Sequence, residues 1–241
     1  MLTREATASL ITTVGRRTQS WQASPPGPLS VTMAELNQQG RVTQGKLQEE
    51  VPALFVTGVT DASRAVTDIL SVRNGELTNV VLSDLTGVSG EIAPFCSLYP
   101  SDINNDGLTE VPSPIQVSSM METGAAYQRV DWYAYNAGGQ SSLALHTYHD
   151  VEDRWYLRLP EEWLNHIWVG RATMTDEAAV TFYILDGEAM EPFLRITAIT
   201  GSSRENRACG ADGSCSATVG GHLYGRAFRC QRYLAIRRNC G

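Results

Sequence analysis

The 241-residue sequence predicts an all-β protein of antiparallel strands with short helical turns. Three observations predict it. From Gln128 to Thr200, turn-forming Gly, Asp and Asn residues recur roughly every eight to twelve residues, the spacing of consecutive short strands. The runs between them are rich in Val, Ile, Thr, Tyr, Phe and Trp, the residues that suit a pleated, half-buried surface. Asn74-Gly75 separates two such runs by a dipeptide suited to a type I′ hairpin, which needs positive φ at both turn positions.

Taken in order, residues 1–50 read as a poorly defined arm with one or two strands. S-P-P-G-P at 24–28 breaks any regular element there. A-L-F-V-T-G from Ala53 is a short apolar strand. T-D-I-L-S-V-R, Asn74-Gly75 and E-L-T-N-V-V-L-S form the hairpin, and T-G-V-S-G at 86–90 makes a second turn. An apolar run follows from Ile92 to Tyr99. After an acidic loop comes V-P-S-P-I-Q-V, where two prolines restrict a strand to a sheet edge. Six more strands are predicted between Gln128 and Thr200, with a glycine turn at Gly138-Gly139 and a short helical turn at E-E-W-L. In R-W-Y-L-R-L, Trp155, Leu157 and Leu159 fall on one face and Arg154, Tyr156 and Arg158 on the other. Ser202 to Glu205 has capping-box spacing and predicts a helix start. The domain reading is therefore an arm over 1–50, an all-β domain over 51–208 and an atypical tail over 209–241.

Composition narrows the function classes. The net charge is −7, which disfavours nucleic acid as a partner. No apolar run approaches the length of a transmembrane helix. The N-terminus lacks the order of a signal peptide, since its arginine pair follows the apolar stretch. The tail differs in kind. From Arg204 onward there are seven arginines and two acids, and four of the five cysteines fall at 209, 215, 230 and 240. Cys209, Cys215, His222 and Cys230 lack the close cysteine pair of a structural zinc site. The expectation is that this tail is an out-of-frame translation of a GC-rich gene.

The clearest candidate site is D-I-N-N-D-G-L-T-E at 102–110. Asp102, Asn104 and Asp106 stand at loop positions one, three and five. Gly107 permits a sharp turn, Leu108 offers a carbonyl at seven and Glu110 a carboxylate at nine. This pattern turns hard oxygens onto one point, as Ca2+ requires. Position twelve is Ser113, preceded by Pro112, so the loop is not an EF-hand. The competing reading is a plain acidic turn. His146 and His149 lie three apart on one strand and face opposite sides, so His149 reads as a solvent-facing histidine near a turn. Trp132, Tyr133, Tyr135, Trp155, Tyr156, Trp163 and Trp168 supply core packing, and any that face outward suit contact with sugar or protein.

The acidic loop resembles the calcium-binding loop of FG-GAP or VCBS repeats, the blade units of integrin-alpha-like β-propellers. T-D-I-L-S-V-R-N-G-E-L resembles the strand and hairpin that follow such a loop. Its own preceding loop, T-D-A-S-R-A-V-T-D, is degraded. Aligned on Asp68 as the last acid, positions one, three and five become Thr60, Ala62 and Arg64. That loop is expected not to bind calcium, with the Arg64 guanidinium near the missing ion's place. D-W-Y-A-Y-N, R-W-Y-L-R-L-P-E-E-W and E-P-F-L-R-I-T-A-I-T-G-S-S-R-E-N-R-A resemble VCBS-bearing envelope lipoproteins of gut Firmicutes. Over roughly 50–208 the resemblance implies propeller-blade-like sheets or a partial propeller, a structural Ca2+ at Asp102, Asn104, Asp106, Leu108 and Glu110, and a cell-envelope or extracellular location. The leading functional reading is a non-enzymatic binding or scaffolding role toward protein or glycan at the cell surface. The alternative is a calcium-stabilised extracellular hydrolase.

Overall fold

The computed structural model describes residues 29–31, 35, 39–60, 64–83, 85–86, 88–92, 96–117, 127–150, 155–175, 177–186, 189–199 and 227–232. Among them the protein is all-β. The strands are β1 (Arg41–Lys46), β2 (Pro52–Val59), β3 (Ala65–Arg73), β4 (Glu76–Asn79), β5 (Glu91–Ile92), β6 (Glu110–Val117), β7 (Tyr127–Tyr135), β8 (Ser141–Asp150), β9 (Trp155–Leu159), β10 (Ile167–Met174), β11 (Glu177–Asp186), β12 (Ala189–Ile199) and β13 (Ala227–Arg232). They form three sheets, each running in chain order. One is β1-β2-β3-β4 with β5 beside β3, the second β6-β7-β8-β9 and the third β10-β11-β12-β13. Short 3-10 turns at Gln48–Glu50 and Glu161–Trp163 interrupt them.

The chain forms two compact units, residues 1–114 with 131–145, and 115–130 with 146–241. In the first, β2 and β3 have apolar side chains on both faces. Leu47, Ala53, Phe55, Ile69, Val80 and Val111 form one core cluster, and Val31, Leu54, Val56, Val66 and Leu70 another. Double-sided burial explains why A-L-F-V reads as an unbroken apolar run rather than an alternating one. Each such buried side chain contributes about 1.5–3 kcal/mol. Thr57 and Thr67 lie opposite one another and share a 2.9 Å hydroxyl bond, so their burial leaves neither hydroxyl unpaired. The second unit packs Tyr148, Trp155, Leu159, Ile167, Val169, Val180, Phe182, Leu194 and Ile196. Phe182 meets the Tyr148 ring edge-on, with centroids 5.1 Å apart.

Asn74 and Gly75 both have positive φ, 51° and 82°, so the hairpin closes as its sequence requires. β6, with its two prolines, is an edge strand. β4, however, stops at Asn79 although the apolar run continues to Leu82. Asn79 turns inward to bond Asp68, and Val80 drops into the core. Of the apolar run from Ile92, Ile92 ends the two-residue β5, residues 93–95 lie outside the described residues, and Cys96–Tyr99 forms no strand. Residues 1–28 and the capping box at Ser202 lie outside the described residues. Of the tail, only 227–232 are described, as β13 paired antiparallel to β12.

Candidate cation site

The acidic loop is closed at its neck by two backbone bonds between Ser101 and Glu110, at 3.0 and 3.1 Å. Within the neck the chain turns at Asn105 (φ 63°) and Gly107 (φ 90°). Asn tolerates this left-handed region and Gly enters it freely. The acidic side chains face the loop's own amides. Asp106 N–H donates to Asp102 Oδ1 at 3.1 Å and to Asn104 Oδ1 at 2.9 Å. Gly107 N–H donates to Asp102 Oδ2 at 3.0 Å, and Leu108 N–H to Asp106 Oδ1 at 2.8 Å. The Asn104 amide donates to Asp106 Oδ2 at 2.8 Å. Asp102, Asn104 and Asp106 stand in this loop and Glu110 at its neck. Asp102 and Asp106 are exposed, Asn104 is half-buried and Glu110 is buried.

Glu110 is the unusual member. Its side chain is 0% exposed. Oε2 accepts the Ile103 N–H at 3.2 Å, which sets the carboxylate against the inside of the loop. Oε1 is buried and has no hydrogen-bond partner among the described residues. A buried, unpaired acceptor costs about 1–3 kcal/mol, and more when charged. Burial pushes the Glu110 carboxyl up to about 7. The Ile103 N–H works against this shift, and the Asp106 and Asp102 charges add to it.

No protein-family model, curated protein sequence or solved structure matches the chain. The likeness to FG-GAP and VCBS repeats therefore rests on the quoted residues. The site's chemistry has to be read from its own geometry.

That geometry fits a hard cation in donor type. Asp102, Asn104, Asp106 and Glu110 supply side-chain oxygens and Leu108 a carbonyl, the ligands Ca2+ takes. No group of three or more His, Cys, Asp or Glu among the described residues is gathered as a metal cluster, because the two exposed carboxylates cap amides. Each carboxylate oxygen has two lone pairs, so an amide bond leaves a second direction for a ligand bond.

Asp68, which the resemblance aligns with Glu110, provides the contrast. It is equally buried. The amides of Ser30 and Val31 donate to its Oδ2 at 2.8 and 2.9 Å. Asn79 Nδ2 and Ser89 Oγ donate to Oδ1 at 2.8 and 2.6 Å. Protein donors therefore saturate this carboxylate, while Arg64 is exposed. A buried Asp beside β-branched residues in a strand gives no local sequence sign that four donors converge on it.

The remaining candidates have structural surroundings. His149 is not solvent-facing. Its ring stacks on Tyr156 with centroids 5.2 Å apart, and burial lowers its pKa to about 4. A cross-strand tyrosine covers it, which intrastrand spacing does not reveal. His146 is buried on the opposite face. Asp150 forms an ion pair with Arg171 of β10, a contact between residues 21 positions apart that sequence reading did not anticipate. Trp132 and Trp155 are buried, and Trp163 and Tyr135 pack against core clusters. Tyr133, Tyr156 and Trp168 are half-buried. The Cys96 thiol is free, and burial raises its pKa. No helix among the described residues is long and apolar enough to cross a membrane.

Proposed function

We propose that residues 102–110 bind one structural Ca2+ ion, in a non-enzymatic β-repeat module of the cell envelope or extracellular space. Its role in this reading is binding or scaffolding toward protein or glycan at the cell surface. The observation that carries the metal reading is Glu110, a buried carboxylate with one oxygen lacking a partner, set against two aspartates. A divalent cation would give that oxygen a counter-charge and relieve the repulsion. Asp102, Asn104, Asp106, Leu108 and Glu110 would hold it, with water completing the shell. When bound, the ion supplies a fixed positive charge and no chemistry beyond that. Two buried carboxylates elsewhere are committed to structural bonds. Asp68 is saturated by donors, and Asp150 is paired with Arg171.

Calorimetric titration of chelator-stripped protein tests the site. We expect one Ca2+ per chain, weaker binding of Mg2+, and at least tenfold weaker Ca2+ binding in Glu110→Gln. Absence of Ca2+ uptake by the wild type would leave the loop as a plain acidic turn. A glycan array and a screen of extracellular polymers address the role, and turnover of any polymer would contradict the non-enzymatic reading.

A further inference from the structure

The two ends of the acidic loop grip the same strand. At its entrance, the Tyr99 hydroxyl donates to the Gln39 carbonyl at 2.6 Å, and the Arg41 guanidinium lies 4.9 Å from the Tyr99 ring centroid. Gln39 and Arg41 are where β1 begins. At its exit, Thr109 N–H donates to the Lys46 carbonyl at 2.9 Å. Lys46 N–H points back to Thr109 Oγ1 at 3.4 Å. The fit there is tight: a Cβ on Gly45 would lie 2.0 Å from Thr109 Oγ1. Gly45 and Lys46 are where β1 ends. β1 is the outer strand of its sheet, paired with β2 on one side. The segment 99–110 therefore acts as a strap across both ends of an edge strand. The Ser101–Glu110 bridge draws the ends of that strap together.

Resting on the calcium reading above, we propose that cation binding at 102–110 locks β1 onto the sheet, so that β1 is a calcium-dependent edge strand. The physical link runs through Glu110. The same residue places its carboxylate in the loop and its backbone in the bridge that closes the strap, and Thr109 precedes it. With no cation, repulsion among Asp102, Asp106 and Glu110 loosens the neck and with it both grips on β1. β1 itself has little to hold it apart from β2, since its side chains are exposed or half-buried. Its release would turn β2 into the edge of the sheet, a strand with seven consecutive buried residues. Coupling of this kind is reciprocal: by whatever factor Ca2+ favours the docked β1, the docked β1 favours Ca2+ binding.

Hydrogen exchange of the full chain, with calorimetry on the same preparation, tests this. In saturating Ca2+ we expect amide exchange across residues 41–47 to slow at least tenfold relative to chelator, while β10–β12 exchange is unchanged. Gly45→Ala, which touches no proposed ligand, should weaken Ca2+ binding at least fivefold. Calcium uptake with unchanged exchange at 41–47 would overturn the coupling and leave the calcium site standing. No calcium uptake at all would overturn both. Because the wild-type exchange measurement stands alone, the inference stays testable if Gly45→Ala fails to fold.

Discussion

Asp68 and Glu110 are both buried carboxylates, and their surroundings give opposite predictions. Asp68 accepts four hydrogen bonds. Asp68→Asn leaves a single acceptor oxygen and turns an amide toward existing donors, so it should cost about 3 kcal/mol in urea denaturation. Glu110 carries an unpartnered oxygen. Glu110→Gln should leave calcium-free stability at pH 8 equal or higher, because it removes a buried charge, while weakening the response to calcium. His149 adds a pH dependence of known sign. Its folded pKa of about 4 lies below the ordinary 6.5, so the stability it contributes is complete above pH 6.5. That stability falls as pH drops toward 4, where the unfolded chain takes up the proton first. The loss amounts to up to about 3 kcal/mol. Glu110 has the opposite sign, since its raised pKa favours the folded state below pH 4.5 and ceases to do so above about 7. Comparing wild type with His149→Phe between pH 7 and 4 cancels the Glu110 contribution, and the variant should lose less stability on acidification. None of these three environments was legible in the sequence. Donors reach Asp68 from residues 38 and 21 positions away, and Tyr156 reaches His149 from the neighbouring strand. The oxygen-bearing side chains of the acidic loop, by contrast, come from a single nine-residue segment, so their spacing alone marks them as a candidate set.

Strands and turns were legible wherever the signal was local. The Asn74-Gly75 hairpin, the proline-bearing edge strand β6 and the glycine turn before β8 all follow from residue chemistry acting over a few positions. The glycine turn also has a tertiary reason. Gly139 has φ 82°, and a Cβ there would lie 1.8 Å from the Val80 carbonyl oxygen. Gly139→Ala should therefore cost about 2 kcal/mol or more, from backbone strain and the clash together, as read by chemical denaturation. Element ends were not legible when a distant partner set them. The apolar run after Asn79 continues past β4 because pairing competes there with the Asp68 bond and the demand of the core for Val80. The run from Ile92 to Tyr99 has strand composition. Yet Cys96–Tyr99 lies outside any sheet, and Tyr99 serves the strap on β1 instead.

At the scale of the whole molecule, the all-β class was legible because turn spacing and strand composition agree along the chain. The division into two units was not. β6, β7 and β8 each contribute residues to both units, so no break in composition marks the boundary. What the loop does for the first unit also appears only in three dimensions. The nine-residue motif is the basis of the proposed cation site, while its grip on β1 depends on Gly45, Thr109, Tyr99 and Arg41 meeting across the fold. The central claim is that Glu110 and its loop hold a calcium ion that stabilises this unit. Thermal unfolding of wild type and Glu110→Gln, each in chelator and in Ca2+ at about a hundred times its dissociation constant, tests it most directly. Binding at that ratio contributes about 2.7 kcal/mol, which for a protein of this size raises the wild-type Tm by about 5–10 °C. The account predicts that rise in the wild type and at most about half of it in Glu110→Gln, whose tenfold or weaker binding leaves about 1.4 kcal/mol or less at the same concentration; an unchanged wild-type Tm, or an equal rise in the variant, would contradict it.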